Sequence, residues 1–160
     1  MEPKIENLQV VKEVDDVRYE KVLICQDEHT GMLYTNSYKQ FPSEISCKNF
    51  EKKLEKSKKF PNQFYVSAIA YQTEKVKKLC TNIYRLEIYI PYPDEDLSQE
   101  IQNRIKFSKN FSSKELTYLL YNMLYGLAHM TKLGLTHGKL GPEFLAKTTT
   151  GYAVMDDPFH

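Results

Sequence analysis

His137-Gly138-Lys139-Leu140-Gly141-Pro142-Glu143-Phe144 reads as a loop that joins a long helix to a strand. The helix before it is the strongest periodic signal in the chain. Leu116, Leu119, Leu120, Met123, Leu124, Leu127 and Ala128 recur at spacings of 3 and 1, an apolar stripe sustained along one face. Ser112 and Glu115 have capping-box spacing and Gly134 suits a C-cap, so the helix is expected over 113–132. A second row, Tyr118, Tyr121, Tyr125 and His129, lies away from that stripe. The stripe is read as the packing face of a central structural helix. After the loop, Phe144-Leu145-Ala146 and Tyr152-Ala153-Val154-Met155 read as two short strands around the turn Thr148-Thr149-Thr150-Gly151. Asp156-Asp157-Pro158-Phe159 follows.

The frame of the loop resembles the protein-kinase catalytic loop, H-R-D-L-x-x-x-N. His137 and Leu140 hold the family's positions, and Pro142-Glu143 matches a pair common at the variable ones. Lys139 stands where the resemblance places the Asp that accepts the substrate hydroxyl proton. Phe144 stands where it places the Asn that holds magnesium. Counting on from Phe144 puts Asp157 at the metal-binding Asp of D-F-G. A lone carboxylate without that Asn and a phosphate offers too few ligands for magnesium. Asp156, Asp157 and His160 are ligand-type residues, but three at one chain end do not make a transition-metal site. No metal or other cofactor is expected.

Upstream the resemblance continues in family order. Leu8, Val10, Val11 and Val14 supply one strand and residues 19–25 a second, with a turn over 15–20. With Val22 at the valine of G-x-G-x-x-G-x-V, the three glycine positions hold Asp15, Val17 and Glu20. Side chains there keep backbone N–H groups from phosphates, and two carboxylates repel a triphosphate, so a plain hairpin turn is expected. The turn Glu28-His29-Thr30-Gly31 leads to a third strand over 32–37. An ungapped count from Val22 puts Ser37 at the phosphate-gripping lysine, and Lys39, two residues on and on the same face, is the candidate substitute.

Residues 43–59 read as a charged helix, with Ser43 or Ser46 as N-cap, Pro61 past its end, and Cys47, Phe50 and Leu54 on one face. The resemblance makes it the regulatory helix of the small lobe, with Glu51 as the residue that pairs the strand lysine; Ser37 deprives it of that partner. The opposite face carries Lys48, Lys52, Lys53, Lys56, Lys58 and Lys59. Lys52, Lys53 and Lys56 are candidates for contact with RNA or an acidic filament. Glu51 and Glu55 interrupt the row, however, and i,i+4 Glu–Lys pairs favour a solvated face.

A strand is expected over 64–70, then a polar turn over 74–78, then a strand over 83–90. In the last, Leu86, Ile88 and Ile90 alternate with Arg85, Glu87 and Tyr89. Pro91-Tyr92-Pro93-Asp94 stops it and suits the hinge of the resembled family; its prolines remove donors that an adenine would use. Residues 97–107 form a short helix.

At 160 residues the chain has room for one domain or part of a larger one. Hydrophobic content of 41% and charged content of 27% are ordinary for a globular protein. A net charge of +1 gives no pull toward nucleic acid or an anionic membrane. No apolar run approaches the roughly 20 residues of a membrane span. The N-terminal MEPKIENLQ is too polar for a signal peptide, so a cytoplasmic location is expected. Cys25, Cys47 and Cys80, odd in number and widely spaced, read as free thiols.

The resemblance implies an α+β, protein kinase-like fold. Residues 1–91 form an antiparallel five-stranded N-lobe sheet with one regulatory-type helix, and 92–160 a hinge and a truncated helical C-lobe. Glycines, lysine, base and magnesium Asn are altered together, which implies a pseudokinase that is not an enzyme and has no nucleotide or nucleic acid as partner. Fold alone does not give function. A lobe ending here leaves the outer face of the long helix, with Leu116, Tyr118, Tyr121, Tyr125 and His129, open to a protein partner. The expected role is a non-catalytic interaction module in a larger assembly; a cytoskeletal or ciliary one is an option to which no residue points. Two alternatives stay open. One is a regulatory pseudokinase that binds nucleotide through Lys39 or Lys139, or modulates an active kinase. The other is a basic-face binder of RNA or acidic filaments.

Overall fold

Apolar residues alternating along two strands, Val22 and Ile24 on one and Leu86, Ile88 and Ile90 on the other, supply the core of the first of two units. The computed structural model describes residues 3–157. One unit comprises the residues up to Lys59 together with Ser67–Tyr92; the other comprises Phe60–Val66 and the residues from Pro93 on.

In the first unit, β1 (Leu8–Asp16), β2 (Glu20–Asp27), β3 (Leu33–Phe41), β5 (Ala70–Lys78) and β6 (Thr81–Pro91) form one antiparallel sheet in the order β1-β2-β3-β6-β5. Val22, Ile24, Leu86, Ile88 and Ile90 are fully buried on it. Each such side chain contributes about 1.5–3 kcal/mol on leaving water. A smaller cluster of Cys25, Ala70 and Tyr89 is covered by Ile5, Leu8, Leu23 and Ile69. Tyr89 is therefore buried although strict alternation points it to water; burial raises its phenol to about 12, with the Glu87 charge adding to the effect. Helix α1 (Glu44–Lys59) follows β3, and the Ser43 hydroxyl accepts the Ser46 N–H at 3.2 Å as its cap. Its buried residues are Cys47, Leu54 and Ser57, and Phe50 meets Phe41 with ring centroids 5.3 Å apart.

Two expectations are corrected here. Residues 64–70 are not a strand of this sheet, and 74–78 are not a turn. β4 is only Tyr65–Val66, and it pairs in parallel with β8 of the second unit. The fourth strand of the large sheet is β5, whose Lys78 pairs with Thr81 across a turn at Leu79-Cys80. As an edge strand, β5 gains its hydrogen bonds from β6 alone and turns lysine and glutamate side chains to water. Its polarity therefore mimics a loop.

The second unit contains α2 (Leu97–Lys106), α3 (Ser113–Lys132), β7 (Leu145–Thr148) and β8 (Gly151–Met155), with β8 central in the order β4-β8-β7. Asp96 and Ser112 cap α2 and α3 with reciprocal capping boxes to Gln99 and Glu115. α3 ends in a Schellman motif: Gly134 has φ of 69°, its N–H donates to the Thr131 carbonyl, and the Leu135 N–H donates to the Met130 carbonyl. Tyr65, Leu97, Met130, Leu133, Leu145 and Val154 form the core.

The buried line of α3 is Asn122, Gly126 and Met130. Leu119, Met123 and Leu127 flank it, partly buried against the core. Gly126 lets helix and strand meet: a Cβ there would overlap the Phe64 carbonyl and lie 2.7 Å from the Val154 Cγ2. The apolar stripe read as one packing face is thus divided, because Leu116, Leu120 and Leu124 are exposed. Among the described residues, no helix is long and apolar enough to cross a membrane.

Candidate functional site

The loop after α3 is held by a single histidine. The Lys139 N–H donates to His137 Nδ1 at 3.3 Å, which leaves the proton on Nε2, and Nε2 donates to the Met155 carbonyl at 3.0 Å. The imidazole also meets the Phe144 ring edge-on, with centroids 4.8 Å apart. With both nitrogens and one face engaged, His137 braces the loop. Phe144, at the position the resemblance gives to a magnesium-binding Asn, closes the one-turn helix Pro142–Phe144 and is fully buried. Lys139, at the expected base position, is exposed.

Asp157 is buried beyond β8. Asp156 before it is buried too; its N–H donates to the Val66 carbonyl at 2.8 Å. Burial pushes the Asp156 carboxyl up to about 6, and the neighbouring Asp157 charge reinforces that against the opposing Tyr65 hydrogen bond. Pro158, Phe159 and His160, which complete the D-F-G-like stretch and the ligand-type trio, lie outside the described residues. Among the described residues no group of three His, Cys, Asp or Glu side chains is placed to hold a metal.

The first unit carries the other positions. Ser37 is buried on β3, and its hydroxyl finds no hydrogen-bond partner among the described residues. Lys39 is half-buried, with its ammonium 5.9 Å from the Phe41 ring centre and 5.6 Å from that of Phe50. Glu51 accepts a hydrogen bond from the Thr73 hydroxyl of β5. Lys52, Lys53 and Lys56 are exposed on α1, with Glu55 exposed among them and Lys48 ion-paired to Glu44 at 2.5 Å. The β1–β2 turn holds a side chain that the sequence reading passed over. Arg18 is 7% exposed, forks onto Asp16 and lies over the Tyr92 ring at 5.6 Å. The spacing Asp16-Val17-Arg18 was its only sequence signal.

On α3, Tyr118, Tyr121 and Tyr125 are about half exposed, as is Leu116. Tyr118 and Tyr121 are parallel with centroids 6.5 Å apart, Tyr121 and Tyr125 lie 4.3 Å apart, and Phe64 meets the latter two at 6.2 and 5.4 Å. The Tyr118 hydroxyl donates to the Thr150 carbonyl at 2.8 Å. His129 is half-buried: its Nε2 lies 2.8 Å from the Phe60 carbonyl and its ring 5.7 Å from that of Tyr65. An open apolar hollow is lined by Phe64, Lys114, Thr117, Tyr118 and Tyr121. Phe64 and Lys114 were not anticipated; no periodicity links a loop phenylalanine to a helix 50 residues on.

No protein-family model matches this chain, and no curated protein matches it.

Proposed function

We propose that this chain is a kinase-like module that performs no phosphoryl transfer and acts by binding another protein. The observation that carries the reading is Phe144, a fully buried phenyl ring packed on His137 where the resemblance asks for a magnesium ligand. A phenyl group offers no lone pair to a hard cation, and it cannot leave the core without opening a cavity. Three further features point the same way. The lysine position is a buried serine, Glu51 is bonded to Thr73 instead of a cation, and the turn that would face phosphates is filled by the Arg18–Asp16 pair. The order of elements supports the kinase likeness: a five-stranded antiparallel sheet with a helix after β3, then α2, the long α3, the His137 loop and the β7–β8 hairpin.

Binding is the function left to such a scaffold, and the exposed apolar side chains of α3 are where it is assigned. The test is thermal stability with ATP and magnesium or manganese, together with phosphate transfer to a generic protein substrate. No shift and no transfer are expected. Nucleotide-dependent stabilisation that is lost in Lys39→Ala or Lys139→Ala would replace this reading with that of a nucleotide sensor.

A further inference from the structure

From Leu116 to Thr131, α3 contains no aspartate, glutamate, lysine or arginine. Its large outward apolar residues over that length are Leu116, Leu120, Leu124, Tyr118, Tyr121 and Tyr125, each about half exposed. An uncharged face of four turns on a helix whose other side is already packed is a surface built for an occupant.

The charges that bound the face are of one sign. Lys114 and Lys132 are exposed at its two ends, about 27 Å apart at 1.5 Å per residue. The only carboxylate on the helix, Glu115, is neutralised by the Arg104 guanidinium at 2.7 Å. That pairing, with the Ser112 capping bonds, keeps the Glu115 carboxyl down near 2. Two copies of the chain meeting on this face would set lysine against lysine with nothing to offset them. The hollow between Phe64 and Tyr121, with Lys114 on its rim, accepts one apolar anchor beside a carboxylate.

We propose that this face docks an amphipathic helix of another protein that carries carboxylates beyond both ends of its apolar stripe. The proposal rests on the binding-module reading above and specifies the partner's chemistry. Its probes are two synthetic helical peptides with one leucine–phenylalanine stripe, flanked at both ends by glutamates in one and by lysines in the other. Fluorescence anisotropy with the purified chain at low salt is expected to show the glutamate-flanked peptide binding at least ~10-fold more tightly. Lys114→Glu with Lys132→Glu reverses the preference, and Leu120→Asp abolishes both affinities with the circular dichroism unchanged.

Equal binding of the two peptides overturns the charge-selected partner but leaves the interaction module standing. A dimer of the chain that Leu120→Asp dissolves makes the occupant a second copy and overturns the proposal. So does binding to anionic vesicles without binding to either peptide. Binding of neither peptide by a monomeric chain overturns the proposal and removes α3 as the binding face, while the nucleotide test above still decides catalysis separately.

Discussion

Arg18 closes the β1–β2 turn on Asp16. Its Nη2 lies 2.7 Å from Oδ2 and its Nε 2.9 Å from Oδ1, and both side chains are almost wholly buried. Removing one partner strands the other charge away from water. Asp16→Ala is therefore expected to cost about 3–5 kcal/mol in urea unfolding, while replacing both residues by leucine costs much less. Equal losses for the single and double variants would show that the turn is held by something other than this pair.

Phe144→Asn installs the residue type that the resemblance places at this position, and it is expected to yield no metal site. The ring is fully buried, so its loss costs about 3–5 kcal/mol from cavity formation, and the new amide is left in an apolar site. The expected result is a lower melting temperature with no change on adding magnesium and ATP. Magnesium-dependent stabilisation of this variant would instead mean that the loop retains a latent metal site.

Gly126→Ala tests the contact between α3 and β8. The added methyl would meet the Phe64 carbonyl and the Val154 side chain, and backbone cannot step aside as a flexible side chain can. A loss of about 1–3 kcal/mol is expected, despite the better helix propensity of alanine. A gain in stability would show that helix and strand separate at little cost.

Asp156 makes stability fall as pH rises. Its carboxyl is raised to about 6, chiefly by burial, from an ordinary value of 3.8, so the folded state holds its proton more tightly than the unfolded state does. Its contribution is fully present below about 3.8 and is lost as pH passes through about 6. Asp156→Asn is expected to match the parent at acid pH and to exceed it by about 2–3 kcal/mol at about pH 8. Thermal melts of both proteins across this range check it. A difference that does not vary with pH would assign the effect to packing alone.

Much of the backbone was legible in local chemistry. Ser112 with Glu115 and Gly134 mark both ends of α3, because caps act within one turn of the residues that make them. Leu86, Ile88 and Ile90 mark β6, because successive side chains of a strand point to opposite faces and these three share one. β5 was misread because an edge strand satisfies its backbone through one neighbour while its lysines and glutamates face water. The loop residues Lys139 and Phe144 were singled out from sequence, but only the fold shows that one is exposed and the other is core.

The sequence by itself determined a mixture of helices and strands, four strands of the large sheet (β1, β2, β3 and β6), both caps of α3, and the uncharged run from Leu116 to Thr131. These follow from periodicity and from contacts within a few residues. Which side of α3 is buried was decided by tertiary structure. Leucines at both Leu119 and Leu120 satisfy the same helical pattern, and the choice fell to Gly126 and Asn122, a small and a polar residue that a hydrophobic count ignores. Close approach of β8 selects the side with no Cβ in the way, and the leucines and tyrosines displaced from that contact become the outer face. Arg18 is decided partly in the same manner: Asp16, two residues away, meets it within the turn, but Tyr92 covers it only once the sheet has formed.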